Sequence, residues 1–263
     1  MNTQKITLST RYSRSPAKLL VFMHEQGLGG IEYTINAQDD ESLEQERVPL
    51  LALAESGAAV RHHLQFNRID LAHKDADKAE YSLRHHKRCI DLIAAVGGTH
   101  AIVHLCLGYI GRPELMSRER AMRNLTIIVE YASAKGVLVS LENLRGGLVC
   151  TPEDFLDFLA VSGASATVDI GHIAASRCVL DGTVPAEEYI TALAPHIVSA
   201  HIYDVELVDL QSGNVWHKAP DGRESFESRI RALTKAPHCG WWLIELGDAA
   251  EILRTNRLLQ EIT

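Results

Sequence analysis

The sequence of 263 residues is long enough for one α/β barrel or for two smaller domains. Hydrophobic residues make up 46% and charged residues 23% of the chain, a composition that is ordinary for a globular protein and excludes a largely disordered one. The formal net charge of -8 provides no overall basic field to attract nucleic acid or an anionic membrane.

The cysteines and the amino terminus indicate a reducing compartment. The cysteines are five in number, scattered and free of CxxC spacing, which indicates reduced thiols rather than a disulfide framework or a zinc knuckle. The amino-terminal segment has no apolar run typical of a signal peptide, and no apolar stretch approaches the roughly 20 residues that span a bilayer. We therefore expect a cytoplasmic protein without a membrane partner.

Short apolar runs rich in β-branched residues alternate with longer amphipathic segments, which is typical of βα units around a parallel sheet. Strands are predicted over residues 6–10, 30–35, 59–66, 101–107, 137–144, 166–170, 198–203 and 241–246. Helices are predicted over residues 16–26, 41–55, 75–96, 117–135, 151–161, 185–193, 226–234 and 248–262. Eight strands alternating with eight helices favour an α/β fold of the (β/α)8 TIM barrel type, as a single domain over residues 1–263, and an open doubly wound sheet is the alternative.

Two segments between the predicted strands contain possible functional features. The longest irregular segment, residues 204–223, follows the seventh strand, so in a barrel it belongs to the face that carries active sites. His85 and His86 form a tempting pair within the helical segment RHHKR. We interpret this pair as part of a solvated helix face rather than as metal ligands.

Four consecutive predicted strands end on a charged or imidazole side chain: Glu142, Asp169, His201 and Glu245. The residues two positions earlier share their strand parity and are Ser140, Thr167, Ser199 and Leu243. Because side chains alternate across a strand, the apolar residues between them point to the helices. The four strand-end side chains are therefore predicted to face the barrel axis and to meet at its carboxyl-end mouth.

Carboxylates that converge in a low-dielectric site repel one another unless a cation compensates them. A lone Glu or His at a strand end is usually solvated or hydrogen-bonded, but four in succession favour a metal site. Mixed oxygen and imidazole donors suit Mn²⁺, Mg²⁺, Co²⁺ or Zn²⁺, and no cysteine is placed to select a softer metal. The sequence thus predicts a bound divalent metal.

With these residues the chain resembles the xylose-isomerase-like TIM barrels, the superfamily (AP endonuclease family 2) that includes sugar isomerases, epimerases and endonuclease IV. The resemblance covers nearly the whole chain through short motifs in a fixed order, namely GIE at 30–32, HLQF at 63–66, VHL at 103–105, LEN at 141–143, DIGH at 169–172, HIYD at 201–204 and IE at 244–245. It implies that the shared metal ligands are Glu142, Asp169, His201 and Glu245.

The resemblance also implies additional metal or substrate-binding residues. His63, His104 and His172 match further positions of the multi-zinc nuclease branch, and His217 matches part of its third site. His62 is the rival of His63, because strand parity leaves open which of the two faces the barrel. For His104 the alternative role is a core histidine bonded to the backbone.

The resemblance implies an isomerase or epimerase of a small carbohydrate that removes a proton next to a carbonyl. In such enzymes a metal stabilises the enediolate while carboxylates act as base and acid, the roles that would fall to Glu142 and Glu245. His172 would bond a substrate hydroxyl. A dehydratase (lyase) acting on a similar sugar would use the same metal and the same proton abstraction.

Two departures from the family patterns bear on these alternatives. Endonuclease IV takes an Asp-x-His pair for its third metal, and the matching stretch here is Val215-Trp216-His217, in which valine cannot bind metal. Tagatose-type epimerases carry an arginine shortly after the seventh-strand histidine, and none lies between His201 and His217.

The sugar enzyme is therefore preferred over an endonuclease IV-like nuclease, and nucleic acid is not the favoured partner. Isomerase and dehydratase both remain as interpretations, and a non-catalytic binding barrel forms a third class. The sequence does not decide between a monomer and a homo-oligomer.

Overall fold

The structure is a computed structural model that describes residues 4–66, 69–107, 110–209, 214–221 and 224–263. Eight parallel strands form a closed barrel: β1 (Lys5–Ser9), β2 (Ile31–Ile35), β3 (Val60–Leu64), β4 (His100–Val103), β5 (Leu138–Glu142), β6 (Ser165–Asp169), β7 (Ile197–Ile202) and β10 (Trp241–Ile244). Neighbours along the chain pair in parallel, and β10 closes the barrel between β7 and β1. The predicted (β/α)8 barrel is confirmed.

Helices surround the barrel: α1 (Pro16–Glu25), α2 (Asp40–Glu55), α3 (Ala76–Ala95), α4 (Arg118–Ser133), α5 (Pro152–Ser162), α6 (Ile170–Ala175), α7 (Arg177–Leu180), α8 (Ala186–Leu193), α9 (Glu224–Leu233) and α10 (Ala249–Ile262). The eight predicted helices occur with small shifts at their ends, whereas the short α6 and α7 were not predicted. In the described part of the chain, no helix combines the length and apolar character needed to cross a membrane. All five cysteines are unpaired.

Local sequence signals explain where the helices begin and end. The side chain of Thr151 accepts a hydrogen bond from the backbone N–H of Asp154 at the start of α5, and Pro152 occupies its first turn. Gly163 ends the same helix with a φ of 73°, a left-handed conformation that favours glycine. The chain then enters β6 two residues later.

A row of hydroxyl groups crosses the barrel interior and shows which residues of β5, β6 and β7 point inward. Ser140 Oγ lies 2.7 Å from Thr167 Oγ1, which in turn lies 2.7 Å from Ser199 Oγ. The three side chains are buried and come from β5, β6 and β7. Because side chains alternate along a strand, the residues two positions later on these strands also face the axis, at the carboxyl end of the barrel.

The segment predicted to be an irregular loop after β7 contains an antiparallel hairpin, which corrects that prediction. Its strands are β8 (Val205–Val208) and β9 (Val215–Lys218), and Glu206 lies directly opposite His217. Each strand is only four residues long and half-buried or exposed, so no apolar alternation marks it in the sequence. Gly213 and Gly222, which belong to this segment, lie outside the described residues.

His85 and His86 lie in the protein interior, which corrects their assignment to a solvated helix face. Each is 2% exposed. His85 Nε2 donates to the Ala37 carbonyl at 2.9 Å, and His86 Nδ1 donates to the Ser82 carbonyl at 2.8 Å. Backbone carbonyls thus satisfy both rings, so the residues are buried without being ligands.

The buried His86 should make the stability of the fold depend on pH. Burial lowers the pKa of His86 to about 4, despite the hydrogen bond to Ser82. An unfolded chain binds this proton near pH 6.5, so stability is fully present above that pH and is lost as the pH falls toward 4. Between pH 6 and 4.5, urea unfolding should show wild-type stability falling by about 1.4 kcal/mol per pH unit more than that of His86→Gln. Parallel curves for the two proteins would contradict this assignment.

Candidate metal centre and active site

The carboxyl ends of the barrel strands open into a cavity of about 450 Å³. Six of the eight predicted site residues line it, namely His63, His104, Glu142, His172, His217 and Glu245. The other two, Asp169 and His201, are 0% exposed at the ends of the neighbouring β6 and β7. The structure therefore places all eight in one region, at the face where (β/α)8 barrels carry active sites.

The four predicted metal ligands meet around one imidazole nitrogen. His201 Nδ1 lies 3.4 Å from Glu142 Oε2 and 3.4 Å from Glu245 Oε2. The same nitrogen lies 3.9 Å from Asp169 Oδ2. Successive strands β5, β6 and β7, with β10 beside β7, bring these side chains together because their ends are neighbours in the barrel. We refer to these four residues as the four-residue set.

The four-residue set fits a divalent cation on two observations. Glu142 Oε2 and His201 Nδ1 are buried and make no hydrogen bond within the described part of the chain. Burial, together with Glu142 and Glu245, raises the pKa of Asp169 to about 7, against the opposing effect of His172. A bound cation would supply the missing partner and allow all the carboxylates to ionise together.

Glu32 on β2 supports this set from the far side and was not predicted as a site residue. Its Oε1 lies 2.9 Å from His201 Nε2, and Trp241 Nε1 donates to its Oε2 at 3.2 Å. Burial opposes its ionisation, but His201 and His63 outweigh burial and lower the pKa of Glu32 to about 2. A carboxylate beside one imidazole nitrogen, with the other nitrogen facing a ligand set, is an arrangement common among metal-binding histidines.

His63, not His62, faces the cavity. His63 Nε2 lies 3.3 Å from Glu142 Oε2, whereas His62 Nδ1 lies 3.2 Å from the His100 carbonyl.

His104 combines the two roles considered for it. Its Nε2 lies 3.1 Å from Glu142 Oε2, and its Nδ1 lies 3.4 Å from the Leu64 carbonyl. His63, His104 and Glu142 together could hold an ion.

His172 lies in α6, and three contacts fix its position. Its backbone N–H donates to Asp169 Oδ1 at 2.7 Å, which caps the helix. Its Nδ1 donates to the Asn143 carbonyl at 2.9 Å, and its Nε2 lies 3.4 Å from Glu206 Oε1. Burial opposes protonation of the ring, but Asp169 and Glu206 outweigh it and raise the pKa of His172 to about 10.

An arginine reaches the cavity although none follows β7 before His217. Arg11, from the loop after β1, donates through Nε to Glu245 Oε1 at 3.0 Å, and its Nη2 lies 3.1 Å from His217 Nε2. The His217 ring stacks on Tyr203 at 3.7 Å, and Tyr203 Oη donates to Asp169 Oδ2 at 2.9 Å. No local pattern indicates Arg11 as a site residue, because its partners lie more than 200 residues away in the chain.

Residues 21–261 match the xylose isomerase-like TIM barrel family. An uncharacterized protein of Methanocaldococcus jannaschii is 28% identical over 165 residues, which cover 63% of this chain and 67% of that protein. The match to the family extends over nearly all the described barrel.

Several solved structures share the fold of this chain. A D-tagatose 3-epimerase-like protein has a TM-score of 0.73 at 19% identity, and the match covers 98% of this chain and 97% of that protein. A xylose isomerase-like TIM barrel protein of Mycobacterium smegmatis in complex with magnesium has a TM-score of 0.67 at 20% identity, with coverage of 99% and 96%. A D-allulose 3-epimerase of a Methylomonas species in complex with D-allulose has a TM-score of 0.67 at 18% identity, with coverage of 95% and 86%. At these identities the likeness establishes a shared fold.

Proposed function

The chain belongs to the xylose isomerase-like TIM barrel family. We propose that it is a divalent-metal-dependent isomerase or epimerase of a keto sugar. One observation carries the proposal. Glu142 and Glu245 each lie 3.4 Å from the same His201 nitrogen and line an open cavity, so a substrate in that cavity would be within reach of both carboxylates. Proteins of the same fold include an epimerase in complex with its sugar, D-allulose.

The four-residue set would hold the ion, and Mn²⁺, Mg²⁺, Co²⁺ and Zn²⁺ all suit its oxygen and imidazole donors. When bound, the ion supplies Lewis-acid stabilisation of the negative charge that develops as a proton leaves the carbon next to a carbonyl. A related barrel in complex with magnesium supports the choice of a hard divalent cation.

Glu142 and Glu245 would move the proton, one as base and the other as acid. Arg11 holds Glu245 through its Nε contact and so fixes one carboxylate relative to the cavity. His172 presents Nε2 toward the cavity, where it can bond a substrate hydroxyl. The volume of about 450 Å³ falls within the range of small-molecule sites and accommodates a monosaccharide.

Proton exchange with solvent tests the proposed reaction without knowledge of the natural substrate. Protein loaded with Mg²⁺ or Mn²⁺ is incubated in D2O with D-allulose and other ketoses, and the sugars are analysed by mass spectrometry. We expect deuterium at the carbon next to the carbonyl, and protein without metal is the control. Loss of water from the sugar would indicate the dehydratase alternative, and absence of exchange with every ketose would contradict the proposal.

A metal-dependent nuclease of the endonuclease IV type is the second candidate, and one observation favours it. His63 and His104 contact Glu142 Oε2, the same oxygen that lies 3.4 Å from His201 Nδ1. The Glu142 carboxylate is therefore placed to bridge two ions. The net charge of -8 argues against a DNA substrate. Incision of duplex DNA at an abasic site by the metal-loaded protein would move this candidate to first place.

Replacement of the supporting carboxylate Glu32 should weaken metal binding. Glu32→Gln keeps the size of the side chain but removes the negative charge that faces His201 Nε2 at 2.9 Å. Supporting partners of metal ligands typically contribute about 10- to 100-fold in metal affinity, and we expect a loss in that range by calorimetric titration of Mn²⁺. Glu130→Gln, on the exposed surface of α4, is the matched control. Equal affinities in the two variants would assign Glu32 a purely structural role.

A further inference from the structure

The hairpin side of the cavity brings together a second group of potential ligands. We propose that His172, Glu206 and His217 form a further divalent-metal site, separate from the four-residue set and not required by the proposed proton transfer. Their ligand atoms lie within 4.8 Å of one another. Glu206 is the essential residue of this site, because it supplies the carboxylate that the stretch Val215-Trp216-His217 lacks.

The register of the hairpin places this carboxylate. Glu206 on β8 lies directly opposite His217 on β9, so the side chains of the two residues are cross-strand neighbours. Val215 shares the strand parity of His217 and also lines the cavity. A metal site that depended on position 215 would be lost here, whereas one that draws its carboxylate from the facing strand is complete.

Both imidazole rings are oriented as metal-binding histidines usually are. His172 Nδ1 donates to the Asn143 carbonyl and His217 Nδ1 donates to the Glu245 carbonyl, each at 2.9 Å. A carbonyl can only accept, so each ring carries a proton on Nδ1, and Nε2 is the nitrogen that binds a cation once it is deprotonated. Such backbone contacts fix the tautomer and direction of a ligating ring. The two Nε2 atoms are therefore the ligand atoms of the site, and a bound ion would displace the proton from His172 Nε2 and the Arg11 contact from His217 Nε2.

Two arginines flank the group without occupying all of its donors. Arg145 Nε lies 2.6 Å from Glu206 Oε2, which leaves Oε1 of the same carboxylate directed toward His172 Nε2 at 3.4 Å. Arg11 Nη2 lies 3.1 Å from His217 Nε2, a contact in which the imidazole nitrogen acts as the acceptor. A cation already approaches this lone pair, and an ion at the site would take the place of the Arg11 contact.

Two imidazoles and one carboxylate are a donor set suited to Zn²⁺ and to similar transition metals. Three protein ligands leave a coordination position open. Because all three residues line the cavity, that position faces the space available to a substrate. The site would therefore offer a second cationic contact to a substrate oxygen.

Metal counting on the full-length protein tests the proposal. Protein stripped of metal is titrated with Zn²⁺ by calorimetry, and bound zinc is measured by mass spectrometry after dialysis. Glu206→Gln and, separately, His217→Asn should each bind one equivalent fewer than wild type. Glu130→Gln, on the surface of α4, should bind as much as wild type, and circular dichroism confirms that each variant is folded.

An unchanged zinc count in both Glu206→Gln and His217→Asn would overturn the proposal and leave Glu206 as the ion-pair partner of Arg145 alone. Loss of one equivalent in both would support it. The result is independent of the proposed sugar chemistry, because proton exchange from ketoses is measured separately and is assigned to Glu142 and Glu245.

Discussion

Glu142→Gln and Glu245→Gln should each lower the rate of proton exchange from a ketose by at least about 100-fold at saturating metal, because general acid or base catalysis typically contributes 10² to 10⁴-fold. Glutamine keeps the size of the side chain and one oxygen donor but cannot accept a proton at neutral pH. Metal affinity should fall only moderately, since the rest of the four-residue set remains. Exchange rates by mass spectrometry and Mn²⁺ affinities by calorimetry separate the two effects.

His172→Asn is the matched comparison for these variants. Because His172 would position a substrate hydroxyl, its replacement should raise the apparent KM while the ion of the four-residue set remains bound. If additional metal fully restored turnover in both glutamine variants, the two glutamates would act as ligands only. The proton-transfer assignment would then have to move to other residues.

Gly171→Ala should destabilise the fold and weaken the metal site together. A Cβ at position 171 would lie 2.0 Å from Cε2 of Tyr203, a fully buried ring. Overpacking of this kind typically costs about 1 to 3 kcal/mol. Displacement of Tyr203 would also break its hydrogen bond to Asp169 Oδ2 and its stacking on His217. Chemical unfolding and calorimetric titration of Mn²⁺ measure the two effects.

Gly111→Ala is the matched control, because a Cβ at position 111 would meet no atom within 4 Å among the described residues. It should leave both the stability and the metal affinity close to wild type. Equal stabilities of Gly171→Ala and Gly111→Ala would show that Tyr203 can move at little cost. That result would mean that Tyr203 does not hold Asp169 and His217 rigidly in place.

Strand parity and strand order made much of the site predictable. Glu142 and Asp169 end their strands and His201 is the penultimate residue of β7. The inward residues of these strands repeat every two positions, and the closed barrel places the strand ends side by side. Where parity was ambiguous, at His62 and His63, only the tertiary contacts separated the two. The helices were predicted because their caps and apolar faces are local in the chain.

Residues whose role depends on pairing across the fold were not predictable. Glu32 is the second residue of β2 and belongs to the GIE motif, but its contact with His201 on the opposite side of the barrel is visible only in the fold. Glu206 lies in a segment without apolar alternation, and only the hairpin register places it opposite His217. His86 is polar, yet it is buried because its own helix supplies a carbonyl partner. In each case a distant or backbone partner offsets the cost of burying a polar group.

One divalent ion should bind to the four-residue set, and anomalous diffraction from crystals grown with Mn²⁺ would locate it. We expect a peak with ligand distances of about 2.0 to 2.3 Å to Glu142, Asp169, His201 and Glu245. A fully ordered barrel mouth with Mn²⁺ bound elsewhere, and none within coordination distance of these four side chains, would contradict it.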